Sequence, residues 1–289
     1  MRVGRSQTRA VVADAAGPDR VPELARHAAP QAPIRLEKPS ALPISTKSRS
    51  PLELRVQLSS GVVPSGAAYC EKVIREMEAR TRRGEKSVVV FDLDNTSFDT
   101  RPRTLAALVK FDEQNGTSYF DQLQNDQVGR DGRETATGLG LPPDVVAKVA
   151  SFWDKEFWDG RSFAHDVPIK EVMDLAWRAQ KAGAQIVYLT GRIEALRAPS
   201  VDELARGGFP NPDNVVLKPD LSVKTHAFKA EWLDRAAQSA FLGWYLSDSG
   251  REIEGILSNR DALPCVRVDH PLGRDGSGAE PVPVLSVRT

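Results

Sequence analysis

Residues 87–96 read Ser-Val-Val-Val-Phe-Asp-Leu-Asp-Asn-Thr. The run Val88, Val89, Val90, Phe91 is continuously apolar and stops at acidic residues. Unbroken apolar character, in place of strict alternation, suits a strand buried on both faces of a parallel sheet. The same grammar recurs at Gln185–Leu189, Val215–Leu217, Phe241–Leu246 and Cys265–Val268. Segments of helical period lie between these runs, at Ile169–Lys181, Ile193–Arg206, Thr225–Ala237 and Arg251–Leu257. Ahead of them, Ala67–Arg82 puts Tyr69, Val73, Ile74 and Met77 on one helical face. Alternating strand and helix predicts an α/β fold, a Rossmann-like doubly wound parallel sheet.

Between Thr100 and His165 the alternation is interrupted by about 65 residues without a strand signal. Helical patterns at Thr104–Asn115 and Pro143–Trp158 are separated by Gly-rich breaks at 129–132 and 138–140. So long a segment is too large for a loop, and a small helical cap over 100–165 is expected. The core is then 65–99 with 166–275, followed by a C-terminal tail at 276–289. Residues 1–60 hold seven prolines, at positions 18, 22, 30, 33, 39, 43 and 51, and no sustained apolar period. This predicts a disordered or loosely docked arm with, at most, a short helix over Val21–His27.

The composition is that of an ordinary globular protein, with 40% hydrophobic residues and equal numbers, 39 each, of basic and acidic ones. A zero net charge gives no indication of a dedicated nucleic-acid or membrane-surface binder. The cluster at Arg80, Arg82 and Arg83 reads as a solvated helix face. Cys70 and Cys265 form neither a disulfide framework nor zinc spacing, and no apolar run is long enough to cross a bilayer. Arg2, Arg5 and Arg9 lack the apolar stretch of a secretory signal. A cytoplasmic protein without membrane partners is expected; nothing in the sequence sets an oligomeric state.

In open α/β sheets, ligands bind at the carboxyl ends of the strands. The residues that follow the apolar runs are Asp92–Leu93–Asp94–Asn95–Thr96, Thr190–Gly191–Arg192, and Ser247–Asp248 with Glu252 one helical turn on. Two carboxylates one residue apart repel unless an oxygen-seeking dication relieves them. One could attack an electrophile while the other handles a proton. Thr190 can donate to a phosphoryl oxygen, and Gly191 lets the backbone come close. Each group alone also fits a turn or a helix cap.

Together these three groups, in order and spacing over about 87–268, resemble the haloacid dehalogenase-like (HAD) hydrolase superfamily, in its phosphatase branch. The resemblance implies that Asp92 attacks phosphorus and that Asp94 serves as acid and then base. It implies Mg²⁺ held by the Asp92 and Asp248 side chains and the Asp94 carbonyl, with Glu252 in the same ligand set, and Thr190, Gly191 and Arg192 on the phosphoryl group. It also implies a lysine that steadies nucleophile and phosphate. Lys229 is the choice, within Lys229–Ala230–Glu231–Trp232–Leu233, ahead of Lys224; Lys218 follows a strand and is a candidate substrate contact. Departures from the family pattern are Ser247 and Glu252 in the last motif and Ser97 after the first. An acid at position 94 favours phosphoester hydrolysis over dehalogenation, because a departing halide needs no proton.

The expected substrate is a small phosphorylated metabolite or nucleotide, with a nucleic-acid end as the alternative. Two further readings are a weakly active binding or scaffold protein and phosphoryl transfer within a sugar phosphate. Arg101 and Arg103 read as contacts to an anionic substrate or as a solvated turn. Trp153, Phe157 and Trp158 read as cap packing. His27, His165, His226 and His270 read as structural or surface residues.

Overall fold

The computed structural model describes residues 65–258, 263–273 and 282–288. The N-terminal arm, its Val21–His27 helix and the arginines at positions 2, 5 and 9 lie outside the described residues.

The central strand β1 (Ser87–Phe91) is buried along its whole length. It pairs in parallel with β4 (Gln185–Ile193) on one side and β6 (Phe241–Ser247) on the other. With β5 (Val215–Lys218), β7 (Cys265–Asp269) and β8 (Val284–Ser286) they form a six-stranded sheet, ordered β5-β4-β1-β6-β7-β8. Its pairings are all parallel.

Alternation along β1 explains the layers. Val89 and Phe91 join a core with Val73, Ile74 and Met77 of α1 (Gly66–Arg82) and with Val172, Leu175 and Ala176 of α5 (Lys170–Lys181). Val88 and Val90 join a second core with Leu233 and Ala236 of α7 (Thr225–Ser239) and with Ile253 and Ile256 of α8 (Gly250–Leu257). Each strand thus feeds both faces, which is why its sequence is apolar throughout. Fully burying one such side chain contributes about 1.5–3 kcal/mol. The fold is the expected Rossmann-like α/β sandwich.

The sheet differs from the sequence reading at its margins. β4 runs on past Leu189, where the strand was expected to end, as far as Ile193, where a helix was expected to begin, because Ile193 pairs with Lys218 beyond an irregularity in the ladder. A 3₁₀ turn at Glu194–Leu196 intervenes before α6 (Arg197–Arg206). Val284–Ser286, assigned to the tail, is the sixth strand.

Residues between Thr100 and Asp166 are spliced into the core through a two-stranded antiparallel ribbon. In it β2 (Phe98–Asp99) pairs with β3 (Val167–Pro168), Asp99 opposite Val167. The insertion contains α2 (Arg101–Asn115), α3 (Gly132–Gly138) and α4 (Pro143–Phe157). It has a hydrophobic cluster of its own, with Leu108, Phe111, Phe120, Val146 and Val149. Trp153 stacks on Phe157 with centroids 4.4 Å apart, so these aromatics pack the insertion, and Trp158 stays partly exposed.

Candidate active site

Phe91, the last residue of β1, is level with Tyr188 of β4 and Leu246 of β6. Asp92 therefore leaves the sheet at the same edge as Thr190 and Asp248, each two residues past its own partner in that row. The Asp92 N–H donates to the Leu246 carbonyl at 2.9 Å, which extends the ladder into the site. The chain then turns sharply. Asn95 takes a left-handed conformation (φ 58°) and its Oδ1 accepts from the Thr100 N–H (3.3 Å) and hydroxyl (2.8 Å). A short amide side chain tolerates this region and holds the turn. Ser97, where the family favours an apolar residue, is fully buried and donates to the Asp92 carbonyl at 2.6 Å.

Both contacts to the Asp92 carboxylate fall on Oδ1: the Leu93 N–H at 2.8 Å and the Lys229 ammonium at 2.9 Å. Oδ2 takes part in neither contact. Lys229, 1% exposed on α7, also donates to Glu252 Oε1 at 2.8 Å and to the Tyr245 hydroxyl at 2.9 Å. Three donors meet three acceptors, the full capacity of an ammonium. Glu252 Oε1 collects further donors from Tyr245 and, at 3.1 Å, from Ser247. Glu252, expected among the metal ligands, thus gives its Oε1 to the lysine, and Ser247, the other departure from the family pattern, serves the same oxygen.

Asp248 is closed from solvent. Its N–H donates to Thr96 Oγ1 at 2.8 Å, and that hydroxyl lies 3.4 Å from Oδ1. Oδ2 is buried without a hydrogen bond, and the Arg130 guanidinium lies 3.6 Å from it. Burial, and the Glu252 and Asp248 charges, push Asp92 up to about 7 against the pull of Lys229. Burial and Glu252 push Asp248 up to about 6, against Arg130. Two buried carboxylates of raised pKa, one with an orphaned oxygen, fit a hard dication. Among the described residues no group of three or more His, Cys, Asp or Glu forms a metal cluster, so an ion here would draw also on main-chain oxygen or water.

Raised carboxylate pKa values carry a sign. Between about pH 4 and pH 7 the folded chain binds protons at Asp92 and Asp248 that the unfolded chain has released. Their contribution to stability is complete below the ordinary carboxylate range and fades as pH rises toward 7. Thermal unfolding in chelator is expected to give a lower Tm at pH 8 than at pH 5, with a shallower decline in Asp92→Asn. An identical decline in that variant would refute the assignment.

Asp94 points elsewhere. Arg192 binds it through Nη2 to Oδ1 at 2.7 Å and Nε to Oδ2 at 3.1 Å, and Arg103 donates to Oδ1. Burial alone would raise its pKa, but the Arg192 and Arg103 charges prevail and hold it well below the usual range. Arg192 also binds Glu203, and Arg103 binds Asp166 at 3.0 Å. Phe163 lies under both guanidiniums, 4.0 Å from Arg192 and 4.6 Å from Arg103. Arg103 is fully buried, and Arg101 is buried and paired with Asp99, so neither belongs to a solvated turn.

Thr190 is fully buried; its Oγ1 accepts the Arg192 N–H at 3.2 Å, leaving the hydroxyl proton to donate. A Cβ at Gly191 would come within 2.9 Å of Thr225, so only glycine lets the start of α7 approach this strand. Lys218 ends β5 and gives its ammonium to the Val223 carbonyl at 3.1 Å. Lys224 precedes α7 and is exposed. His270 is buried with Nε2 3.3 Å from Asp99, whereas His165 and His226 are at the surface. Arg130, Asp166, Glu203 and Tyr245 had no place in the sequence reading of the site. Their partners are distant in the chain or sit on ordinary-looking helices, and no local pattern marks them.

Against protein families, residues 144–238, about a third of the chain, match the HAD superfamily, subfamily IIIB (Acid phosphatase). Over that stretch the chain is similar to acid phosphatases of the HAD superfamily. The matched stretch holds Thr190, Gly191, Arg192 and Lys229; Asp92 and Asp248 stand outside it. No curated protein sequence matches significantly. Among solved structures, Protein Tyrosine Kinase A (PtkA) of Mycobacterium tuberculosis is similar at 18% identity and a TM-score of 0.48, over 71% of this chain and 94% of that one. A haloacid dehalogenase-like family hydrolase of Streptococcus pneumoniae is similar at 10% identity and a TM-score of 0.45, over 64% and 85%. The Class C acid phosphatase of Bacillus anthracis is similar at 16% identity and a TM-score of 0.36, over 67% and 68%. Likenesses this distant do not bear on what this chain acts upon. Among the described residues no helix is long and apolar enough to cross a membrane.

Proposed function

We propose that the protein is a Mg²⁺-dependent phosphomonoester hydrolase that forms a phosphoaspartate on Asp92. The observation that carries this reading is the one-sided engagement of Asp92: Lys229 and the Leu93 N–H fix Oδ1, and Oδ2 remains as nucleophile. Asp92 Oδ2 attacks phosphorus, the ester P–O bond breaks, and the leaving alkoxide takes a proton from Asp94. A water that returns a proton to Asp94 then attacks the phosphoaspartate, releasing phosphate and the Asp92 carboxylate. Thr190 donates to a phosphoryl oxygen, and Lys229 offsets the charge on Asp92. Asp92, Asp248 and the Asp94 carbonyl are the residues to hold the ion, which when bound supplies Lewis-acid neutralisation of phosphoryl charge.

The ionised Asp94 suits the base of the second half-reaction. For the first, it needs a proton, and a phosphoryl dianion that draws Arg192 away would relax the hold that keeps it ionised. The helical insertion, whose Arg130 reaches Asp248, favours a small phosphorylated metabolite or nucleotide over a polymer end. Buried, unpaired thiols at Cys70 and Cys265 accord with a cytoplasmic setting.

Hydrolysis of p-nitrophenyl phosphate, measured in chelator and in Mg²⁺, tests the reading. Turnover is expected only with the cation, together with an acid-stable, hydroxylamine-labile phosphoryl label on the protein. Cation-independent turnover, or turnover without label under rapid quench, would reject it.

A further inference from the structure

Arg130 belongs to the helical insertion yet ends in the core. Its Nη1 donates to the Leu272 carbonyl and lies 3.6 Å from Asp248 Oδ2, the buried oxygen without a hydrogen bond. The loop that carries Leu272 lies against the Asp248 backbone. The Leu272 N–H donates to His270 Nδ1 at 3.1 Å, and Gly273 sits so close that a Cβ there would be 3.0 Å from the Asp248 carbonyl. At its other end Arg130 is held to α3: its N–H donates to Glu134 Oε2 at 3.2 Å, the Gly129 N–H to Thr135 Oγ1 at 3.0 Å, and Asp131 caps the helix at the Glu134 N–H. The guanidinium is thus presented from a braced turn to the oxygen that a cation would use.

We propose that Arg130 is a positioning residue that competes with a cation for Asp248 Oδ2 and yields it on cation binding, coupling cation loading to the seating of the helical insertion. The inference rests on the reading of Asp248 as a cation ligand. A guanidinium and a dication cannot share one buried carboxylate oxygen without strong repulsion. The insertion is fastened to this edge of the core through that same guanidinium. A cation that takes Oδ2 therefore loosens the fastening, and a site whose insertion is seated binds the cation less tightly; the two effects are reciprocal.

The test is calorimetric Mg²⁺ binding to the full-length, chelator-stripped protein, with hydrogen exchange over residues 125–141 as a second measurement. Arg130→Gln, which can still donate to Leu272 but carries no charge, is expected to bind Mg²⁺ about tenfold tighter than the unaltered chain. Arg130→Lys should stay within about twofold of it. Mg²⁺ should speed exchange over 125–141 in the unaltered protein and not in Arg130→Gln. Equal or weaker binding by a folded Arg130→Gln overturns the proposal and leaves the cation site standing. Asp248→Asn binding Mg²⁺ as well as the unaltered chain, or no binding by either, overturns the reading of the site and this inference with it.

Discussion

Asp92→Asn is expected to lose more than about a thousandfold in kcat for p-nitrophenyl phosphate, on the scale seen when a covalent nucleophile is removed. The substitution keeps the side chain's shape, so the Leu93 N–H still has an acceptor at the former Oδ1. Lys229 retains Glu252 and Tyr245. What disappears is the anionic oxygen opposite Lys229, and an amide does not attack phosphorus. The fold should not suffer, because a buried charge that Glu252 and Asp248 both oppose has been neutralised. The expected pattern is therefore an inactive protein whose cation-free Tm equals or exceeds that of the unaltered chain. Residual turnover above about one per cent would disqualify Asp92 as nucleophile.

Lys229→Met should damage both activity and stability. The lysine's own pKa is held up at about 12, since Asp92 and Glu252 outweigh the cost of its burial. Removing the ammonium leaves two buried carboxylates facing each other unpaired, which typically costs about 3–5 kcal/mol. Turnover should fall by about a hundredfold or more as the orientation of Asp92 is lost. Urea denaturation separates the two consequences. Adding Glu252→Gln to Lys229→Met should restore part of the lost stability and none of the activity. If the double variant is no more stable than Lys229→Met alone, the ion cluster is not what the lysine supports.

The core could be read from sequence because a strand buried on both faces needs an unbroken apolar run, and β1, β4 and β6 supply one. β2 and β3 are two residues each, too short for any period, and their pairing joins Phe98 to Pro168 and Asp99 to Val167, far apart in the chain. β8 follows a polar, Gly-rich stretch and offers only three residues. The same distinction governs the site. Asp92, Thr190, Lys229 and Asp248 are marked by where their elements end or by a short local pattern. The arginine network around Asp94 has no such mark. Arg103 was visible as a charge near the first motif, but its burial depends on Phe157, Phe163 and Asp166 closing around it from beyond the first helix of the insertion. Glu203 looks like any exposed helical glutamate until α6 brings it to Arg192.

The narrow ribbon at Phe98–Asp99 and Val167–Pro168 has an evolutionary consequence. Because the chain leaves and re-enters the core at paired positions, whatever is spliced between them can lengthen, shrink or be exchanged without disturbing the order of the main sheet. Arg103 on Asp94 and Arg130 at Asp248 are two of the threads that tie that module to the site. A lineage that kept these arginines while swapping the rest could change which molecules gain admission and leave the reacting groups untouched.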